Sequence, residues 1–405
     1  MRSYDFCKFP GIQPATREAL NWLFENGGLP VIKGEWFFVD PENGAATSSG
    51  SAESPVDSIE TAYALCTSGS GDGILLLSGG TTSADTTSYI DKKITWSKHG
   101  ITVMGAAAPV RMSGRARVSN KTRTTGALDT IAFPTATTIT DSASGFLNAG
   151  FEVGQTINID ATDATNNGQA IITGVTADTI TCAASTFTIQ TAGGAGSTVI
   201  TTYVTELVEV SGDNNAFYNV DFGHFGANAL ELAAVKVSGK RNYFGRCHFL
   251  GLGDETPAAV ATGCDLFLNG AEECTFEGCT LGSNATIRAA ANANVKYDGL
   301  AKNNQFLECT FLSYSETAGH GCINSIDATS MMGVDYFSGC RFINWKPNGY
   351  ADLTAMQIGT TPTSGHFLFD ACTFFGYTAV GTTGAVYVAN SAAVASGAGG
   401  IATTI

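Results

Sequence analysis

The chain has 405 residues, a formal net charge of −15 and only 14% charged side chains, with 48 glycines and 11 cysteines. A length of this order holds roughly one to three domains, and a Gly-rich, Thr-rich, charge-poor composition favours strands and turns over helices. The acidity argues against nucleic acid as a partner: no Lys or Arg occurs from 124 to 235, a stretch with eleven Asp or Glu that repels phosphate. No apolar run approaches the roughly 18 residues of a membrane span, so no membrane insertion is expected.

Residues 14–27 read as a short amphipathic helix capped by Thr16, with Ala19, Leu20, Leu23 and Phe24 at helical spacing and Gly27-Gly28 ending it. Trp36-Phe37-Phe38-Val39 reads as a strand, and 44–53 as a flexible Gly/Ser/Ala stretch. Ser54-Pro55 is expected to open a second helix, with Ser as N-cap and Pro in the first turn. Gly69-Ser70-Gly71-Asp72-Gly73 then leads into the strand Ile74–Leu77. This loop follows a helix and precedes a strand, the reverse of a phosphate-binding loop, which argues against a nucleotide site. The start, Met1-Arg2-Ser3-Tyr4-Asp5, lacks the apolar stretch of a signal peptide, so a chain made in a cytoplasm and staying soluble is expected.

Strand signals resume at Ile94–Trp96 and Ile101–Met104. The one basic cluster follows: Arg111, Arg115, Arg117, Lys121 and Arg123. It reads as a solvated strand face or loop, or as a contact for an acidic partner protein. Between 127 and 204 the style changes to short alternating strands such as Gln155–Asp160 and Thr179–Thr181, with turns at Asn166-Asn167-Gly168 and Ala177-Asp178. That pattern predicts a small antiparallel barrel or sandwich, looped out of the main body at modest entropic cost.

From 217 to 374 one pattern recurs six times: Phe, two residues, Cys, one residue, Phe. The leading Phe residues are Phe217, Phe244, Phe276, Phe306, Phe337 and Phe369, spaced by 27, 32, 30, 31 and 32 residues. A period in this range means stacked units that cannot bury their apolar faces alone. Cys-x-Phe has period two, so both side chains leave one face of a strand, and the residue between them is polar in every copy. The expected fold is all-β: a parallel β-helix, one coil per repeat, with like residues stacked in columns. Each coil carries a second strand signal, at Leu230–Leu232, Asp265–Leu268, Val295–Tyr297, Ile323–Ile326, Met356–Ile358 and Val386–Val388. Cys247, Cys279, Cys309, Cys340 and Cys372 share one column, where thiols pack as small hydrophobes rather than as disulfides. With no CxxC pair and scattered His, neither a metal nor a cofactor is expected.

The block Val39-Asp40-Pro41-Glu42-Asn43-Gly44, the Ser/Gly loop, Ser54-Pro55 and Gly71-Asp72-Gly73-Ile74-Leu75-Leu76 resembles the opening of right-handed parallel β-helix proteins of tailed bacteriophages. With the coils from 205 onward the resemblance covers about two-thirds of the chain. Gly150-Phe151-Glu152-Val153-Gly154-Gln155-Thr156-Ile157 is similar to a small β module that phage proteins carry as an insert. The resemblance implies an N-terminal arm (1–35), capping helix and first coils (36–124), an inserted β domain (127–204), the main stack (205–390) and a tail (391–405). It also implies a non-enzymatic structural protein on the virion surface, made in the host cytoplasm. That protein would be a homotrimer on capsid or tail, touching the major capsid or tail proteins. The alternative is a tailspike-type receptor-binding protein that cuts host surface glycan. A secreted pectin-lyase-like enzyme is disfavoured by the missing signal peptide and the lack of a clustered Asp set.

Cutting a glycosidic bond usually needs two carboxyls about 5–9.5 Å apart. Glu277 and Glu308, one coil and one column apart, are the best pair the repeat offers. Glu277 and Asp370 share a column three coils apart, about 14 Å, which is too far. A second feature is apolar. Six and eight residues after the leading Phe, the last three coils carry Leu312 and Tyr314, Ile343 and Trp345, and Phe375 and Tyr377. These line a widened bore, form an oligomer or docking interface, or make an aromatic platform for sugar.

Overall fold

A computed structural model describes residues 32–78, 87–107, 115–183, 187–192, 197–315, 321–327, 329–344, 364–376, 386–389, 391–394 and 401–402. The helix expected over 14–27, the strand at Met356–Ile358, and Arg111, Trp345 and Tyr377 lie outside these residues. Two compact units emerge. One joins the segments before 91 and from 94 to 119 to everything from Glu206 onward; the other is Asn120–Thr205 with Asp91–Lys93.

The first unit is a right-handed parallel β-helix with three strands per coil, where the sequence pattern had suggested two. Sheet A has ten strands: Trp36–Val39, Gly73–Ser78, Thr102–Ala107, Ala216–Tyr218, Tyr243–Gly245, Thr275–Glu277, Gln305–Leu307, Met332–Ser338, Ser364–Asp370 and Val386–Ala389. Sheet B, also ten-stranded, includes Ala116–Asn120, Val220–Gly223, His248–Leu250, Thr280–Gly282, Thr310–Ser313, Arg341–Asn344 and Thr373–Phe375. Sheet C has six strands: Ile94–Trp96, Glu206–Val210, Ala233–Val237, Cys264–Asn269, Ala293–Asp298 and Gly321–Ser325. Two strand signals fall differently from expectation. Leu230–Leu232 is a turn, in which the Glu231 carboxylate folds back to accept the Asn228 amide at 2.9 Å. Val386–Ala389 is a sheet A strand that pairs Val388 with Phe369.

The columns are in register. Phe217 pairs with Phe244, then Phe276, Phe306, Phe337 and Phe369. Their rings stack at centroid distances of 4.9, 5.0, 4.6, 4.7 and 4.8 Å, and all are buried. A second stack runs through Phe222, Phe249, Leu281, Phe311, Phe342 and Phe374, and Leu281 breaks its aromatic continuity. Each buried ring contributes roughly 1.5–3 kcal/mol, so these columns dominate the bore. The five column cysteines are free and buried. Each thiol donates to the carbonyl of the leading Phe one coil back, as Cys279 does to Phe244 at 3.2 Å and Cys309 to Phe276 at 3.3 Å.

Two corners have their own chemistry. Between sheets A and B the chain turns on a single left-handed residue: Asn219, Arg246, Gly278, Glu308, Gly339 and Ala371, with φ from 52° to 64°. Between sheets C and A, buried amides form a ladder. The Asn215 side chain accepts from the Ile101 N–H, Asn242 from Asn215, Asn304 from Cys274, and Asp335 from Asn304, at 2.9–3.0 Å.

At the N-terminal end, Ser54 closes a tight turn onto Ser51, and Val56 pairs with the first strand through Val56 N–H to Phe38 O at 2.9 Å. The helix therefore starts later than expected, over Ile59–Leu65, and its cap is Ser58, whose hydroxyl accepts from Thr61. A residue before proline is biased toward extended backbone, which keeps Ser54 out of the helix. The Lys98 ammonium covers the other helix end, donating to the carbonyls of Tyr63, Ala64 and Cys66 at 2.6–3.1 Å. The loop Gly69–Gly73 is anchored by Asp72. Burial opposes the charge on Asp72, but N–H donors from Thr67 and Glu35 and the Ser70 hydroxyl hold its carboxyl below the usual range.

The second unit is a six-stranded antiparallel sheet in the order Thr198–Tyr203, Thr156–Ala161, Gly168–Val175, Thr179–Cys182, Thr138–Asp141 and Ile131–Thr135. It folds around its own core of Phe133, Ile139, Phe146, Phe151, Ile157 and Ile180.

Candidate functional site

The strands of sheet A alternate, so the residues flanking each buried Phe face outward. One outward column runs Ala216, Tyr243, Thr275, Gln305, Tyr336, Leu368, and the next runs Tyr218, Gly245, Glu277, Leu307, Ser338, Asp370. Tyr218 and Tyr243 lie together, ring centroids 5.1 Å apart and tilted by 42°. Gly245 is the reason they can. A Cβ there would come within 2.7 Å of Tyr243 Cε1 and 3.1 Å of Tyr218 Cδ1, so only glycine lets both rings rest on the sheet. Tyr243 Oη donates to Glu277 Oε2 at 2.8 Å, reaching one coil onward. Burial, then the hydrogen bond to Glu277, push the Tyr243 phenol well above its ordinary pKa; burial and the Glu277 charge raise Tyr218. Both phenols therefore keep their protons in neutral solution.

The same unit recurs. Tyr336 Oη donates to Asp370 Oδ2 at 3.1 Å, again one coil onward. The two tyrosine–acid units are three coils apart, about 14 Å at the usual strand spacing. At the N-terminal end of the sheet Trp36 lies across Gly73, whose added Cβ would meet the indole at 2.5 Å. The tyrosine–acid units thus recur along the later strands of sheet A, whereas the outward Leu75, Leu77, Met104 and Ala106 of the early strands are buried, with Trp36 and Tyr218 packed against them.

The two acids of the expected carboxyl pair have different surroundings. Glu277 leans back to Tyr243, whereas Glu308 occupies the left-handed bend and packs along Gly339 of the following coil. Of the apolar columns, Leu312, Ile343 and Phe375 face outward on sheet B, half-buried, in register with one another, and Tyr314 offers its carbonyl to the Arg288 N–H.

The basic cluster disperses. Arg115 donates to the Arg246 carbonyl and Thr280, and Arg123 grips Asp91 with two hydrogen bonds at 3.0–3.2 Å; Lys121 is exposed. Arg117 binds Asp221 at 2.7 Å and lies over the Phe225 ring. On the other side of Asp221, His248 Nδ1 stands at 3.1 Å, and its Nε2 is 2.9 Å from the Gly282 carbonyl. A carbonyl only accepts, so Nε2 carries a proton. Burial opposes ionisation of Asp221, but His248 and Arg117 outweigh it and hold the carboxyl below its usual range. The polar atoms of this cluster are turned on one another, which makes it a fastener across coils of sheet B rather than a free base. The buried Asp265–Arg288 pair, 2.6 Å apart and joined by Asn294 at 2.8 Å, likewise clamps the corner after sheet B. Among the described residues no three His, Cys, Asp or Glu side chains converge as metal ligands would.

No protein-family profile and no curated protein matches the chain. Solved structures do. Pectate lyase Pel9A is 15% identical with a TM-score of 0.46, covering 85% of this chain and 64% of its own. A rhamnogalacturonan lyase is 10% identical with a TM-score of 0.43, covering 84% of this chain and 68% of its own. The pectin methylesterase of Aspergillus niger is 14% identical with a TM-score of 0.41, covering 91% and 88%. The chain thus spans less than two-thirds of the lyase Pel9A. At 10–15% identity the likeness is one of fold. The names these structures carry, lyases and an esterase, run against the expectation of a non-enzymatic virion protein.

Proposed function

We propose that this chain is an enzyme acting on polysaccharide, with the glycan lying along the outer face of sheet A and the reaction centred on Tyr243 and Glu277. The observation that carries this reading is the protonated Tyr243 phenol, 2.8 Å from an exposed carboxylate, on a floor that Gly245 opens beside Tyr218. Sugar rings present flat C–H faces to aromatic rings, and a row of them along the sheet suits an extended chain. Glu277 takes a proton from water as the water oxygen bonds to the carbonyl carbon of a sugar ester, a planar centre that an acid and a base side by side can serve. Tyr243 gives its proton to the departing oxygen as the C–O bond breaks, and the proton on Glu277 returns to Tyr243 across their hydrogen bond. One water is consumed and both side chains are restored. Acid–base assistance of this kind is worth about 10²- to 10⁴-fold each.

The test is incubation of the full chain with a panel of polysaccharides, following new reducing ends and released acid. Turnover of one polymer should fall by about 10²-fold or more in Tyr243→Phe and in Glu277→Gln, with melting temperature preserved. Turnover that is indifferent to both substitutions would place the chemistry elsewhere.

A further inference from the structure

Given that sheet A is the glycan face, we infer that its substrate is a polysaccharide free of carboxylate groups and that polyuronates are rejected. Among the described residues, the outward positions of sheet A from Trp36 to Tyr387 hold aromatic, aliphatic, hydroxyl, amide or acidic side chains and His366, but no Lys or Arg. Several of the described cations are engaged on other faces. Lys236 pairs with Glu209 at 2.9 Å on sheet C. Lys240 and Lys302 flank Glu272 at 2.8 and 3.1 Å at the corner between sheets C and A, beside Arg241–Glu273. Arg117 is held by Asp221 on sheet B. Arg246, in the bend next to Gly245, is exposed, and its Cγ lies along Gly278.

Glu277 is met by a neutral phenol, so its charge faces any bound sugar without a counter-ion on the same face. A chain that carries a carboxylate on every sugar brings like charge onto this acid. It also crosses the field of a molecule with net charge −15 and, among the described residues, meets no guanidinium or ammonium on the strands of sheet A. Hydroxyl-bearing sugars meet no such barrier. Their O–H groups donate to Glu277, and their rings cover Tyr218 and Tyr243.

A matched pair of polymers tests this: polygalacturonate and the same backbone after carboxyl reduction, titrated against the full chain at low and high salt. The reduced polymer should bind at least about tenfold tighter at low salt, with the gap closing as salt screens the repulsion. Glu277→Gln should narrow the gap, and Tyr218→Ala and Tyr243→Ala should weaken the reduced polymer. If the polyuronate binds as tightly or more tightly and is lost in the tyrosine variants, the charge selection is wrong while the glycan face stands. If neither polymer binds, or binding ignores both tyrosines, the face itself is misassigned and the inference falls with it.

Discussion

Asp335 stands where the corner ladder of Asn215, Asn242 and Asn304 leads one to expect another amide. It is fully buried, accepts from the Asn304 N–H at 2.9 Å and side chain at 3.1 Å, and faces the Tyr297 hydroxyl. Burial outweighs these donors and raises its pKa from 3.8 to about 6. An acid that is weaker in the fold than in the unfolded chain stabilises most below its unfolded value, and that contribution is lost as pH rises through the folded value. The loss from about pH 3 to about pH 7 comes to about 3 kcal/mol. Asn at this site continues the ladder and carries no proton equilibrium. Melting temperatures across that window should fall with rising pH in the native chain and stay level in Asp335→Asn, apart from changes both share. The residue scale is also where the sequence is hardest to read. Nothing in the pattern marks Tyr243 as the partner of Glu277, because the hydrogen bond crosses between coils and outward positions repeat no residue type. Glu277 was legible as an acid facing out of the repeat; the phenol that bonds it was not.

At the scale of elements, the bend between sheets A and B decides whether coils stack. Its residue takes a left-handed conformation in every coil, yet glycine fills only Gly278 and Gly339, and Asn219, Arg246, Glu308 and Ala371 take the rest. Side chains other than glycine cost about 1 kcal/mol there. Gly278→Ala should therefore cost about 1 kcal/mol, since its Cβ meets nothing closer than Arg246 Cγ at 3.6 Å and strain alone is added. Ala371→Gly should gain a few tenths to about 1 kcal/mol, less the added freedom of the unfolded chain. Equilibrium denaturation of the two variants checks the opposite signs. The Phe and Cys columns were legible because inward positions stack like on like and so keep their phase. The bend was not, since Arg246, Glu308 and Ala371 carry no turn signature. The second helix was misread by four residues because Ser54-Pro55 looks like a helix start, while the backbone spends Val56 on pairing with the first strand.

For the whole molecule, the ten described thiols are free and buried, and burial pushes Cys264 and Cys274 up to about 12. The sequence holds eleven, so at most Cys7 should react with a thiol reagent in the folded protein. Unfolding without reductant should release all eleven, and several reacting groups before unfolding would mean that the coils open in solution. Stacked repeats interact with their neighbours only, so such a count also reports how far a local breach spreads. The architecture was legible from a thirty-residue beat. The proposed glycan face was not, because it lies on the side of the coil that the beat leaves unconstrained.

The path of the chain through Asn120–Thr205 carries a further consequence. The two ends of that segment are zipped together: Thr124 bridges Thr201, the Thr202 N–H donates to the Arg123 carbonyl at 2.8 Å, and the Arg123 N–H donates to the Thr202 hydroxyl at 2.7 Å. The chain therefore departs and returns at neighbouring points, and Val208 pairs with Ile94 as though nothing lay between them. Such a junction works as a socket. Any self-folding cassette whose termini meet side by side can be exchanged there without shifting the register of a single coil, which leaves evolution, or a protein engineer, free to change the appendage while the coils stay as they are.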